Sequence, residues 1–310
     1  MLVVAALGGN ALLTRGQPLT AQNQRANARK AAIALAEIVR GGHKLVVTHG
    51  NGPQIGLLAL KGATYKHDEA YPLDVLGAES GGMIGYIIEQ EWENALDHKY
   101  PVATLLTQIL VDAKDPAFQN PTKFIGPVYE REEAEMRAKA GGWSIAPDGD
   151  KWRRVVASPL PQEIPDMGVL RLLLEHGVIV ICTGGGGIPV VRQADGSLIG
   201  IEAVIDKDAA SALLAQELKA DALLLLTDVA AVMQDFGTDE QREIGAIAPE
   251  DALQLDLPAG SMGPKVTAAA AFAAGGGLGG IGRLDQAADI LAGRAGTRIS
   301  LQHNKEVKNG

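Results

Sequence analysis

The sequence predicts an α/β protein in which a mainly parallel sheet carries helices on both faces. Three observations lead there. Short apolar runs of strand length alternate with longer segments of helical apolar period along most of the 310 residues. Several of these runs stop at glycine clusters, the punctuation expected where a strand turns into a helix. Hydrophobic residues make up 46% of the chain but aromatics only 4%, so the core is built from Ala, Val, Leu and Ile, which suit buried parallel strands.

The first run, Leu2–Leu7, is uniformly apolar and predicts a buried strand, followed by the turn Gly8-Gly9-Asn10. Residues 20–39 predict a helix with Ala28, Ala32, Leu35, Ala36 and Val39 on one face, stopped by Gly41-Gly42. A second strand over 44–48 ends at His49-Gly50-Asn51-Gly52-Pro53. Met83, Ile87, Ile88 and Trp92 set the helical period of residues 76–96, and 102–106 returns as a strand.

The pattern then breaks. Residues 112–161 are rich in Pro, Lys, Arg and Glu and contain few long apolar runs, which predicts an excursion from the sheet, a small hairpin-rich subdomain within one domain spanning 1–310. Alternation resumes with a helix over 166–175, a strand over 178–182, the cluster Gly184 to Gly187 and a short strand near Val190. A helix over Lys207–Leu218, a strand over 222–226 and helices near 265–274 and 285–291 complete the expected order.

Charge and composition narrow the function. A formal net charge of −9 without a long basic run leaves no electrostatic footprint for nucleic acid. A single cysteine, Cys182, excludes an intrachain disulfide framework and suits a reducing compartment. The apolar start lacks the basic residues of a leader and is cut short by Gly8-Gly9, and no run reaches the roughly 18 apolar residues of a membrane helix. A cytoplasmic protein without membrane or nucleic-acid partners is expected.

Ligands of parallel α/β sheets bind beyond the carboxyl ends of the strands. Three glycine clusters fall there: Gly8-Gly9-Asn10, Gly50-Asn51-Gly52 and Gly184 to Gly187. Any one of them is accounted for as a tight turn; at equivalent positions they predict backbone N–H nests for an anion. The chain has no Gly-Lys dipeptide, hence no P-loop, and a nominal GxGxxG at Gly277, Gly279 and Gly282 follows an Ala-rich helical segment and reads as a loop.

Two lysines stand where a helix is expected to begin. In Gly260-Ser261-Met262-Gly263-Pro264-Lys265, Pro264 places Lys265 in a first turn, and in Asp206-Lys207-Asp208 a cation lies between two carboxylates of the helix-starting kind. A cation there opposes the helix dipole at a cost of about 0.3–1 kcal/mol, which a bound polyphosphate offsets. Asp208 is placed to hold lysines in position. Phosphoryl transfer chiefly needs such positioned positive charge. No HExxH or CxxC pattern points to a protein-ligated metal, and His49, one of six scattered histidines, reads as a turn or packing residue.

Taken in order, Ala6 to Ala11, His49 to Gln54, Pro121 to Pro127, Gly184 to Val190, Glu202 to Asp208 and Gly260 to Lys265 resemble the motifs of carbamate kinases, within the amino acid kinase superfamily, over nearly the whole chain. The resemblance implies a three-layer sandwich with about eight strands, a protruding subdomain corresponding to 112–161, and a homodimer. It implies reversible phosphoryl transfer, ATP plus carbamate to ADP plus carbamoyl phosphate, with Mg²⁺ held through the nucleotide phosphates, used to make ATP in the catabolism of carbamoyl compounds. It places Lys123, Lys207 and Lys265 around the transferred group with Asp208 organising them. Gly8, Gly9, Asn10, Gly50, Asn51 and Gly52 fall on the carbamoyl-phosphate side, and Gly184, Gly185, Thr227, Asp228 and Met262 on the nucleotide side. Many related kinases carry a lysine in the first strand-loop; Ala5 to Gly9 has none, and Lys123 is implied to supply that charge. Ala230, Met233 and Leu160 depart from residues common in the family, whereas Arg153 and Arg154 are retained. The alternatives are a relative acting on another carboxylate and a non-catalytic sensor of carbamoyl phosphate or nucleotide.

Overall fold

The strand Leu2–Leu7 is the centre about which the molecule is built. From Val3 onward it is buried on both faces, which is why it carries no polar alternation. It pairs in parallel with Lys44–His49 on one side and Ala222–Thr227 on the other. A computed structural model describes residues 1–14, 16–65, 70–257 and 262–301. Its main sheet has eight strands in the order Ala246–Ile247, Thr297–Ile299, Leu278–Arg283, Ala222–Thr227, Leu2–Leu7, Lys44–His49, Ile179–Ile181, Val102–Thr104. All neighbours pair in parallel except Leu278–Arg283 with Thr297–Ile299.

Side-chain alternation along the central strand sorts the two helical layers. Val4 and Ala6 join the core beneath the helices Lys207–Leu218 and Met262–Ala274, while Val3, Ala5 and Leu7 pack beneath Ala21–Arg40 and Leu73–Ala95. Each fully buried Val or Leu contributes about 1.5–3 kcal/mol by leaving water. The alanines Ala28, Ala32 and Ala36, none measurably exposed, let their helix lie close to the strands.

Two expectations are corrected, and one feature is new. The glycine run at 277–282 is no loop: Leu278–Arg283 is a buried strand of the main sheet. A Cβ at Gly279 would stand 2.8 Å from the Ala269 carbonyl oxygen, and one at Gly280 2.7 Å from Leu224 Cδ2. Glycine is there so that helix and neighbouring strand can press against this backbone. The segment after His49 runs on as a helix, Gly52–Tyr65, and the next helix, Leu73–Ala95, starts earlier than its apolar period indicates, behind Pro72. A second sheet of four strands, Leu198–Gly200, Ile188–Arg192, Gln108–Val111 and Pro161–Glu163, was not anticipated as a unit.

The charged excursion contains an antiparallel sheet of its own, in the order Lys123–Tyr129, Lys151–Val156, Ser144–Asp148. The helix Arg131–Gly141 packs on it and ends at Gly142, whose φ of 65° is the left-handed conformation of a glycine stop. Among the described residues, no helix is long and apolar enough to cross a membrane.

Candidate active site

Parallel pairing brings the carboxyl ends of four strands to one edge, and the glycine clusters gather there. Thr183 to Gly187 is a tight coil rather than a simple turn. Gly185, Gly186 and Gly187 have φ of 70°, 93° and 84°, and added Cβ atoms would lie 2.1 Å from Asn51 Nδ2, 2.3 Å from the Ile205 carbonyl oxygen and 2.6 Å from Ile109 Cγ1. Both the conformation and the crowding require glycine. The coil thereby seats the end of the second strand against the segment that leads into Asp206-Lys207-Asp208. Asn51 is fixed from behind, its Nδ2 donating to Ser80 Oγ at 2.9 Å.

Asp206 caps the helix Lys207–Leu218, its Oδ1 accepting from the backbone N–H groups of Asp208 at 2.8 Å and Ala209 at 3.2 Å. Its other oxygen, Oδ2, accepts from Lys123 Nζ at 2.5 Å, across 83 positions of sequence. Asp208 divides its two oxygens between two lysines: Oδ1 accepts from Lys207 Nζ, and Oδ2 from Lys265 Nζ at 2.8 Å. Lys265 arrives from the start of Met262–Ala274, so two helix N-termini and the antiparallel sheet deliver three ammonium groups to one place.

These groups line a cleft of about 270 Å³ with Gly9, Gly50, Asn51, Gly52 and Gly185. Burial alone would raise the Asp208 carboxyl, but the Lys207 and Lys265 ammoniums outweigh it and hold the group well below the ordinary carboxylate range. Burial also acts against the Asp206 carboxyl, and Lys123 reverses it, leaving a depressed value. Lys207 is depressed by burial first and by Lys265 as well, with Asp208 opposing both. An arriving anion would stabilise the charged Lys207 further.

Gly8 ends the central strand, where its N–H donates to the Leu226 carbonyl at 3.0 Å and a Cβ would meet that oxygen at 2.8 Å. Gly184 does not line the cleft; a Cβ there would stand 2.7 Å from His49 Cε1. Thr227 and Asp228 line a separate cleft with Lys30 and Arg283. Met262 is half-buried against the core at the start of its helix. The backbone of Asn10 belongs to the one-turn helix Gly9–Leu12; its side chain, and Gly260 and Ser261 entirely, lie outside the described residues. His49 is buried, with its titration pushed down to about 4 by burial, and packs as a neutral ring beneath the glycine coil.

Sequence reasoning treated Asp206 only as a helix-starting carboxylate. The signal available was its place, directly before Lys207 at the same helix start, where a capping carboxylate uses one oxygen on the backbone and leaves the other for a cation. Among the described residues, no group of His, Cys, Asp and Glu is arranged to hold a metal ion.

The family model described as the amino acid kinase family matches residues 1–281. Carbamate kinase from Haemophilus influenzae is 55% identical over 301 residues, covering 97% of each chain. Carbamate kinase from Escherichia coli K12 is 50% identical over 300 residues, covering 96% of this chain and 99% of its own. The solved structure of carbamate kinase from Giardia lamblia bound to AMP-PNP superposes with a TM-score of 0.88 at 41% identity, covering 96% of this chain and 98% of that one.

Proposed function

This chain belongs to the amino acid kinase family, and from that premise we propose that it is a carbamate kinase, exchanging a phosphoryl group between ATP and carbamate to give ADP and carbamoyl phosphate. The observation that carries the reading is the meeting of Lys123, Lys207 and Lys265 in one glycine-walled cleft, with Asp206 and Asp208 holding them. The Giardia relative's binding of an ATP analogue supports a nucleotide substrate.

In the ATP-forming direction, a terminal oxygen of ADP attacks the phosphorus of carbamoyl phosphate, and the bond from phosphorus to the carbamate oxygen breaks. Negative charge spreads over the equatorial oxygens of the migrating group, and no strong base is needed. Ammonium groups fixed before substrate arrives stabilise that charge without reorganising. Asp208 keeps Lys207 and Lys265 close despite their mutual repulsion. Backbone N–H groups of the Gly9 and Gly50 to Gly52 turns receive the carbamoyl-phosphate end, and Gly184, Gly185, Thr227, Asp228 and Met262 belong to the nucleotide side of the same reading.

Both carboxylates lining the cleft are engaged by lysines, so this donor set fits a Mg²⁺ held by nucleotide phosphate oxygens, where it neutralises charge on those oxygens. Residues 112–161 act as the subdomain that carries Lys123 to the others. A homodimer in the cytoplasm completes the reading, on the strength of the resemblance. The test is a coupled assay of ATP formation from carbamoyl phosphate and ADP, with and without Mg²⁺. Mg²⁺-dependent ATP formation is expected; folded protein that forms none would sink the assignment.

A further inference from the structure

Lys123 reaches the cleft from a sheet that is separate from the one supporting Lys207 and Lys265, so something must fix where that sheet sits. The two parts approach each other closely, backbone to backbone, at Gly56, on the helix Gly52–Tyr65, and Gly126, on the strand Lys123–Tyr129. A Cβ added to Gly56 would stand 1.9 Å from Gly126 Cα and 2.0 Å from its nitrogen, both of them backbone atoms that no rotamer change can clear. Gly126 has a φ of 71° and begins an interruption in pairing, between Ile125 and Val128, that bends its strand. Arg153 Nε donates to the Gly126 carbonyl at 2.7 Å and so fixes the bend.

Beside the crossing lies a small apolar seat. Ile55 and Ile125, the residues before the two glycines, pack with Val156, which pairs opposite Lys123, and with Val204, two positions before Asp206. One member of the glycine crossing, Gly126, one of the seat, Ile125, and Lys123 itself therefore lie within a few residues of one another along a single strand. Nothing in the chemistry of phosphoryl transfer asks for glycine at position 56, which is absent from the lining of the cleft.

We infer that Gly56 is a positioning residue: its missing side chain lets the Lys123-bearing strand cross the helix closely enough for Lys123 to reach the phosphoryl site. Gly56→Ala pushes that strand outward and withdraws the ammonium while leaving the main sheet intact. The inference rests on the role given to Lys123 above, and the experiment separates the two.

ATP formation is measured for the wild type, Gly56→Ala, Lys123→Ala and the double variant, each checked by circular dichroism and thermal melting. Loss of one preorganised donor lowers turnover by about 10²–10³-fold. Gly56→Ala is expected to lower kcat by a comparable factor, and the double variant by no more than Lys123→Ala alone, since an absent ammonium cannot be misplaced. Near-native turnover of folded Gly56→Ala, or losses that multiply in the double variant, would overturn the inference. Full activity of Lys123→Ala would instead remove Lys123 from the mechanism. Should Gly56→Ala fail to fold, Arg153→Gln, which releases the Gly126 carbonyl, takes its place. A smaller loss that vanishes in the Lys123→Ala background supports the inference, and an independent loss or none rejects it.

Discussion

Asp208 and Asp206 hold their lysines under different conditions. Asp208 exposes 6% of its side chain and its partners Lys207 and Lys265 11% and 15%, whereas Lys123 and Asp206 expose 30% and 32%. The first cluster rests on two helices packed over the main sheet; the second joins that sheet to a neighbouring one. Burial makes the Asp208 cluster expensive to disturb, because any charge left alone there lacks water. The Lys123 pair is wetter, and Coulomb attraction across it is correspondingly screened. Both present cations to one cleft, so they should resemble each other in catalysis and differ in stability.

The largest effect should follow from Asp208→Ala. It leaves two buried ammonium groups facing each other, and breaking a buried pair from one side costs about 3–5 kcal/mol. Urea unfolding at pH 7 should report that loss, with turnover abolished alongside. Sulfate or phosphate should restore part of the stability, because an anion that binds only the folded state shifts unfolding by mass action. A loss under about 1 kcal/mol would mean the two parts of the cleft do not differ as described.

Turnover should not distinguish the two parts. Lys265→Ala and Lys123→Ala are each expected to lower kcat by about 10²–10³-fold with a smaller change in KM, as for a charge that acts on the transition state. An unchanged rate for either would remove that lysine from the chemistry and leave it a structural partner of its aspartate.

Beneath the glycine coil, His49 tests the buried part from another direction. The unfolded side chain titrates near 6.5 and the buried ring at about 4, so the unfolded chain takes up the proton first. The stability this contributes is fully present above pH 6.5 and is lost as pH falls through about 4, a change of roughly 3 kcal/mol. Asp206 and Asp208, whose depressed values hold to lower pH, titrate outside that window. Unfolding midpoints at several pH values between 7 and 4 should decline for the wild type and flatten for His49→Gln. Parallel slopes would show that His49 does not carry the acid limb.

Much of the buried part was legible in the sequence. Uniformly apolar runs specify strands covered on both faces, and a lysine at a helix start is an electrostatic anomaly that points to an anion. The other part was harder to read. That Lys123 meets Asp206 depends on a bend at Gly126 and a crossing at Gly56, and neither leaves a periodic trace. Only resemblance singled out Lys123; composition alone makes it a surface residue. The glycine strand Leu278–Arg283 misled for a related reason: its glycines answer to Ala269, Leu224 and Ile290, all on other elements, rather than to local backbone preference.

The smallest expected effect is the most discriminating. Lys123→Ala should change unfolding free energy by only about 0–1 kcal/mol, because the ion pair it removes is partly hydrated and Asp206 keeps its backbone partners at the helix start. Paired with the loss expected for Asp208→Ala, this would leave Lys123 needed for turnover alone, while Lys207 and Lys265 belong to the structure as well. If Lys123→Ala instead costs as much as Asp208→Ala, the Lys123–Asp206 contact is a structural bond between the two sheets. Lys123 would then hold the sheets together as well as acting on the phosphoryl group, and the double variant with Gly56→Ala should show the coupling in stability as well as in rate.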